Sequence, residues 1–200
     1  MSASSPSSEL RMRNLRMLAV LAALFLLPLL LSFWMYYGTS WRPTSHVNHG
    51  ELITPARPLP ATRLPILMGA PRSGTLFHRN WSIVYIGAGQ CDDNCRNALY
   101  VMRQTRLALN NEMTRVDRVF LVTANCCDHT FLAREHGGMV VVDASAPEAS
   151  ALLQAFPAGR ENSLFIVDPL GNLMMRFDTH QDAKGLLQDL QKLLRLSSIG

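Results

Sequence analysis

Lysine is nearly missing from this chain: Lys184 and Lys192 are its only two, so the basic side chains are almost all arginine. Nowhere do basic residues form a block interleaved with aromatics, which removes nucleic acid as an expected partner. The formal net charge of +4 adds little, because Arg11, Arg13 and Arg16 supply much of it at one place. No segment repeats, which excludes a solenoid or propeller. Cysteine is scarce as well, with four in the chain, and all four lie beyond residue 90. Charge is absent altogether from residues 17–37.

That last gap is the strongest single signal. An uncharged apolar run of this length matches the roughly 20 residues a membrane-spanning helix needs. The three arginines stand just before it, and Trp34, Tyr36, Tyr37 and Trp41 gather at its far end like an interfacial aromatic belt. Pro28 within it is tolerated in a membrane helix. A cleaved signal peptide is the competing reading, but the run is long for one and no small-x-small site follows. The positive-inside rule then puts residues 1–16 in the cytoplasm and everything after Gly38 outside. No Arg- and Ser-rich transit segment precedes the run, so a single-pass protein of the bacterial inner membrane with a periplasmic C-terminal domain is expected; the mitochondrial intermembrane space would obey the same logic. Either way the cysteines face an oxidising space, where a thiol pair is kept reduced, bound to metal or used in exchange.

Residues 38–65 are rich in Pro, Thr and His with little periodicity, and read as an extended tether with docking strands. His46 and His49 fall here and read as solvated histidines, since a short His pair brings no supporting shell for a metal. From 66 to 200, short apolar runs alternate with amphipathic ones, the pattern of an α/β layer structure in one domain. Strands are predicted at 82–87, 118–124, 139–143, 163–168 and 173–177. Helices are predicted at 93–111, 129–136, 146–156 and 181–196, the last with Leu186, Leu187, Leu190, Leu193 and Leu194 on one stripe. Pro169, Gly171 and Asn172 mark the turn of a closing hairpin. Met174 and Met175 point to opposite faces of its second strand, one into the core, so they do not suggest a methionine-rich copper site.

The first strand runs through Gly87 and Gly89 into Cys91, and Cys95 follows in the next helix. A cysteine delivered to a helix N-terminus meets unpaired N–H groups and the macrodipole, both of which favour the thiolate. Thiolates attack disulfides and bind soft metals. The three-residue spacing lets the two sulfurs either join or spread to grip one ion; a purely structural disulfide is the plain alternative. Asp92 and Asp93 place negative charge between them, which opposes the dipole and favours metal holding or slow exchange over a fast oxidant. A second cluster, Cys126, Cys127 and His129, follows the strand ending near Ala124. Segments leaving the carboxyl ends of neighbouring parallel strands converge at one edge. These three residues are therefore expected near Cys91 and Cys95 as a mixed Cys/His metal site or a relay of disulfides. Alternatively, the cysteines are small buried residues and His129 caps a helix. Adjacent cysteines seldom bond to each other, so one of the pair would join a sulfur elsewhere.

The order strand, cysteine turn, helix, strand, helix, strand, helix, hairpin and terminal helix is a thioredoxin-like arrangement, a central mixed sheet flanked by helices, here behind an N-terminal transmembrane helix. With that anchor, residues 50–58, the Cys91-x3-Cys95 motif after Tyr85, Ile86 and Gly87, and the hairpin over 165–172, the chain resembles the Sco/SenC family of cytochrome oxidase assembly proteins. The resemblance implies a copper-handling thiol pair at Cys91 and Cys95 and a terminal oxidase subunit, or another exported cysteine-containing protein, as partner. Asp92 and Arg96 stand where that family has prolines, and Asn162 where it has a histidine ligand. An amide is a poor ligand for Cu(I), which directs the search for a further ligand to Cys126, Cys127 and His129. Three functions follow: copper delivery or thiol preparation for an oxidase, a thiol–disulfide oxidoreductase, or a non-catalytic assembly scaffold. Against the oxidoreductase stands the lack of a proline directly before Ser163, where thioredoxin-like enzymes place a cis-proline beside their thiols.

Overall fold

The computed structural model describes residues 6–38, 48–71, 76–160, 162–181 and 183–199. The chain divides into two units, Met1–His46 and Val47–Gly200. The described residues of the first form one helix, α1 (Pro6–Gly38), with Pro28 inside it. From Leu10 to Gly38 it is long and apolar enough to cross a membrane. Every residue over that stretch is exposed.

The second unit is a seven-stranded mixed sheet in the order β1-β7-β6-β3-β4-β5-β2. Its strands are β1 (Glu51–Pro58), β2 (Ile66–Met68), β3 (Trp81–Ala88), β4 (Val116–Ala124), β5 (Val140–Asp143), β6 (Ser163–Val167) and β7 (Asn172–Asp178). The helices are α2 (Asp93–Ala108), α3 (His129–Glu135), α4 (Ser150–Ala155) and α5 (Ala183–Leu196). Strands β3, β4 and β5 run parallel, while β6 pairs antiparallel with both β3 and β7. This is the thioredoxin-like α/β architecture that the element order predicts.

Alternation along the central strands assigns their side chains to two cores. Ile83, Tyr85, Phe120 and Val122 join α2 and α5 on one face, together with Cys91 and Cys95. Val84, Ile86, Val119 and Leu121 meet Leu152 and Phe156 on the other. On β7, Met175 is core, as expected, while Met174, expected on the opposite face, is partly buried against the same cluster. On α5 the buried stripe is Leu186, Leu190 and Leu194, with Leu187 and Leu193 at its margin.

Two helix boundaries differ from expectation. The helix predicted over 93–111 stops at Ala108 and passes into a 3-10 turn, Asn110–Arg115, because Asn110 sits at φ 50° in the left-handed region. The helix predicted over 146–156 begins as a 3-10 turn, Pro147–Ala149, and becomes α only from Ser150. The stretch read as a tether with docking strands does dock one: Glu51–Pro58 is β1, hydrogen-bonded to β7 at the sheet edge. Its side chains are exposed on both faces but for Ile53, so it carries no alternation for a sequence reading to find. His49 is exposed, as expected, but it is anchored. Its backbone N–H and that of Gly50 both donate to a buried Asp189 carboxylate on α5, each at 2.8 Å, and its Nδ1 lies 3.3 Å from the other oxygen. His46 lies outside the described residues.

Candidate thiol site

The site grows from the paired ends of two parallel strands. Ala88 of β3 stands in register with Ala124 of β4, and the Gly89 N–H continues the ladder by donating to the Ala124 carbonyl at 2.7 Å. The Gly89 carbonyl then accepts from the Asp128 N–H at 3.3 Å. The two exit segments thus lie against each other, and Gly89 is what permits it. A Cβ there would stand 2.6 Å from the Cys126 Cα and 2.8 Å from the Asn125 carbonyl oxygen, both backbone atoms that cannot swing aside.

Cys91 follows in a left-handed conformation, φ 51°, and is joined by a disulfide to Cys95, with Cα atoms 5.0 Å apart. Both are almost sealed, at 3% and 2% exposure. Asp92 caps α2: its carboxylate accepts from the Cys95 N–H at 2.9 Å. One of the two acidic groups expected to oppose the dipole is therefore occupied as its cap. Asp92→Ala is expected to lower stability by about 1 kcal/mol and Asp92→Asn, which keeps an acceptor, by much less. Urea unfolding of both variants measures this, and equal losses would mean the cap is not the cause.

Cys126 and Cys127 are joined to each other, against the expectation that one would pair elsewhere. Their peptide bond is cis and their Cα atoms lie 3.2 Å apart; the expectation rested on a trans link, which separates neighbouring Cα atoms by about 3.8 Å. Nor are they buried: Cys126 is exposed and Cys127 half-buried. His129 is exposed and does not cap α3, because the Asp128 carboxylate does so by accepting from the Phe131 N–H at 3.0 Å. The Sγ atoms of Cys126 and Cys127 and a ring nitrogen of His129 lie within 4.8 Å of one another. Among the described residues this is the one group of three or more His, Cys, Asp or Glu so gathered, and Cys91 and Cys95 are outside it.

Arg96, which no sequence argument singled out as a contact, ties the two cysteine segments together. Its Nε donates to the Cys91 carbonyl at 3.2 Å, its Nη2 lies 3.5 Å from the Asp128 carboxylate, and its guanidinium covers the Phe131 ring at 4.2 Å. The only signal in the sequence was a bulky cation where the resembling family has proline.

Asn162 precedes β6. Its carbonyl accepts from the Thr179 N–H at 2.8 Å, and the Thr179 carbonyl accepts from Asn97 of α2 at 3.3 Å, so it sits beside the helix that carries Cys95. Its Oδ1 is buried without a hydrogen-bond partner. That amide oxygen is a hard donor, suited to a hard cation rather than Cu(I).

A buried disulfide at the end of the central strand and a second, accessible cysteine pair on the adjoining turn mark a thioredoxin-fold domain, in a chain whose N-terminal helix is long enough to span a membrane. The family model described as "Transmembrane-like, thioredoxin-like, C-terminal domain" matches residues 81–197, more than half of the chain, and the protein belongs to that family. Among solved structures it is similar to apo Sco1 from Thermus thermophilus, with 16% identity, a TM-score of 0.56, and coverage of 75% of this chain and 99% of that one. Yeast Sco1 with copper bound gives 13% identity, a TM-score of 0.58 and coverage of 69% and 92%. Arabidopsis thaliana ScoI with copper bound gives 15%, 0.51, and 69% and 100%. At these identities the likeness establishes the fold. No curated protein matches the sequence.

Proposed function

We propose that this protein is a membrane-anchored assembly factor that carries Cu(I) to, or prepares the thiols of, the copper site of a terminal oxidase through Cys91 and Cys95. In this reading α1 is a single-pass anchor in a bacterial inner membrane, and the sheet domain works in the periplasm, reached by a short tether. The observation that supports the proposal is the Cys91–Cys95 pair just beyond β3, with the backbone at Gly89 lying against the turn that carries Cys126, Cys127 and His129, in a fold shared with copper-bound Sco proteins.

Copper here is cargo. Each disulfide must first take two electrons and two protons from a dithiol donor; loss of the thiol protons then leaves soft thiolate ligands. Asn162 supplies no suitable third ligand, and the exposed Cys126, Cys127 and His129 are the group to which the ion is passed or from which it is taken. Thiol preparation balances in the same terms. A Cys91 thiolate attacks a partner disulfide, Cys95 resolves the mixed disulfide, and two electrons leave with the partner's thiols as the Cys91–Cys95 bond re-forms.

The test is an anaerobic Cu(I) titration of the reduced full-length chain in detergent. One equivalent is expected to bind, and Cys91→Ser or Cys95→Ser is expected to abolish it. No Cu(I) uptake, together with turnover of a disulfide substrate, would replace the proposal with an oxidoreductase. That second reading is supported by the presence of one sealed and one open disulfide on adjoining turns. Neither activity would leave a scaffold.

A further inference from the structure

The outer face of α5 carries charge of one sign only. Its exposed residues are Lys184, Gln188, Gln191, Lys192, Arg195 and Leu196, and the helical repeat gathers them on one stripe. Both of the chain's lysines are among them. The helix holds a single acidic residue, Asp189, which is 3% exposed and turned to the backbone of His49 and Gly50. Lys192 and Arg195 enter no ion pair among the described residues. The stripe runs into apolar surface, where Leu196 is 73% and Ile199 50% exposed. Arg115 fixes that end in place by donating to the Ser197 and Ile199 carbonyls at 2.8 and 3.0 Å. Cations leading into exposed apolar side chains compose a surface suited to the boundary of a bilayer.

The chain enters the sheet domain along the border of this stripe. His49 packs on Gly185, where an added Cβ would stand 2.8 Å from the His49 Cβ, and Asp189 holds the same segment one turn further along. Nine residues, 39–47, join α1 to Asn48, and a chain of that length reaches at most about 35 Å. We propose that the outer face of α5 docks on the anionic phospholipid headgroups of the membrane that holds α1. The proposal rests on α1 being a membrane anchor. Lys192 and Arg195 meet the headgroup phosphates, Lys184 extends the contact along the helix, and Leu196 and Ile199 enter the boundary with the acyl chains. The short leash favours lipid over a soluble acidic partner, because it keeps a lipid surface within reach of α5 at a high effective concentration. Held at two points, the anchor and α5, the domain presents its cysteine edge in one orientation to the membrane.

The experiment is methyl NMR of the full-length chain in nanodiscs of phosphatidylcholine, alone or equimolar with phosphatidylglycerol, with a gadolinium-chelating headgroup lipid as the relaxation probe. In the anionic discs the Leu196 and Ile199 methyls are expected to relax several-fold faster than those of Leu152 and Leu153 on α4, across the sheet. That excess is expected to vanish in phosphatidylcholine alone, in high salt, and in the double variant Lys192→Glu/Arg195→Glu, because each cation near an anionic surface changes the docked population about fivefold. A spin label on the acyl chains separates docking from anchoring: it is expected to broaden the Leu24 and Leu27 methyls of α1 in every disc and in the variant. An α1 untouched by that label would overturn the anchor reading and the docking with it. An inserted α1 with no excess at Leu196 and Ile199, an equal excess in neutral discs, or an excess indifferent to the charge reversal would overturn the docking alone and leave the stripe to an acidic protein partner.

Discussion

Phe120→Ala is expected to lower the stability of the sheet domain by about 3–5 kcal/mol. Phe120 is fully buried near the middle of β4, which is hydrogen-bonded to β3 on one side and β5 on the other. Its ring packs on Tyr85 with centroids 5.4 Å apart and belongs to the core that encloses Cys91, Cys95 and Met102. A gap here has strands on both flanks whose backbones are fixed by their ladders, so the surroundings can close only by shifting side chains. That places the cost at the upper end for a large-to-small change. Leu107→Ala, at an exposed position of α2, is expected to stay within about 0.5 kcal/mol. Equilibrium urea unfolding of both variants decides the point. A loss of under about 1 kcal/mol for Phe120→Ala would show that this core collapses freely, contrary to the close packing argued here.

Acid is expected to remove roughly 3 kcal/mol through one imidazole. His136 is held down at about 4, first by burial, then by Arg118 and Arg103, with Glu135 opposing. Above its ordinary value of 6.5 the ring is neutral in both folded and unfolded chains, and the contribution is complete. As pH falls from 6.5 toward 4 the unfolded chain takes up a proton that the folded one refuses. Stability therefore drops across that window and levels off once the folded ring protonates. Unfolding free energies at pH 7.0 and 4.5, compared between wild type and His136→Gln, isolate this effect from the carboxylates, which titrate in both. An unchanged pH dependence in the variant would sink the assignment.

The central strands were legible because Ile83 to Ile86 and Val119 to Val122 are apolar runs bounded by turn residues, and a buried strand needs nothing more. The cysteine turn was legible too, since glycines between a strand and a helix announce where a reactive side chain will be presented. Other features were hidden for physical reasons. The pairing of β1 has no periodic signature, because its contribution is backbone hydrogen bonding at an edge. Arg96 and Asp128 are distant in sequence and meet only because β3 and β4 end in register. Arg118 and Asp189 look like ordinary surface charges on an alternating strand and an amphipathic helix; only the folded packing buries them.

The clasp of Asp189 on the backbone of His49 and Gly50 also has a mechanical meaning. Any tension entering the sheet domain from its N-terminal side arrives at these two residues first. It is received by α5 and by the β1–β7 ladder at the rim of the sheet, with β7 and β6 intervening before β3. Along the sheet the cysteine edge stands two strands away from the pull, but α5 shares a core with α2, Cys91 and Cys95, so the load taken up by Asp189 reaches the sulfurs through side-chain packing rather than through the strands.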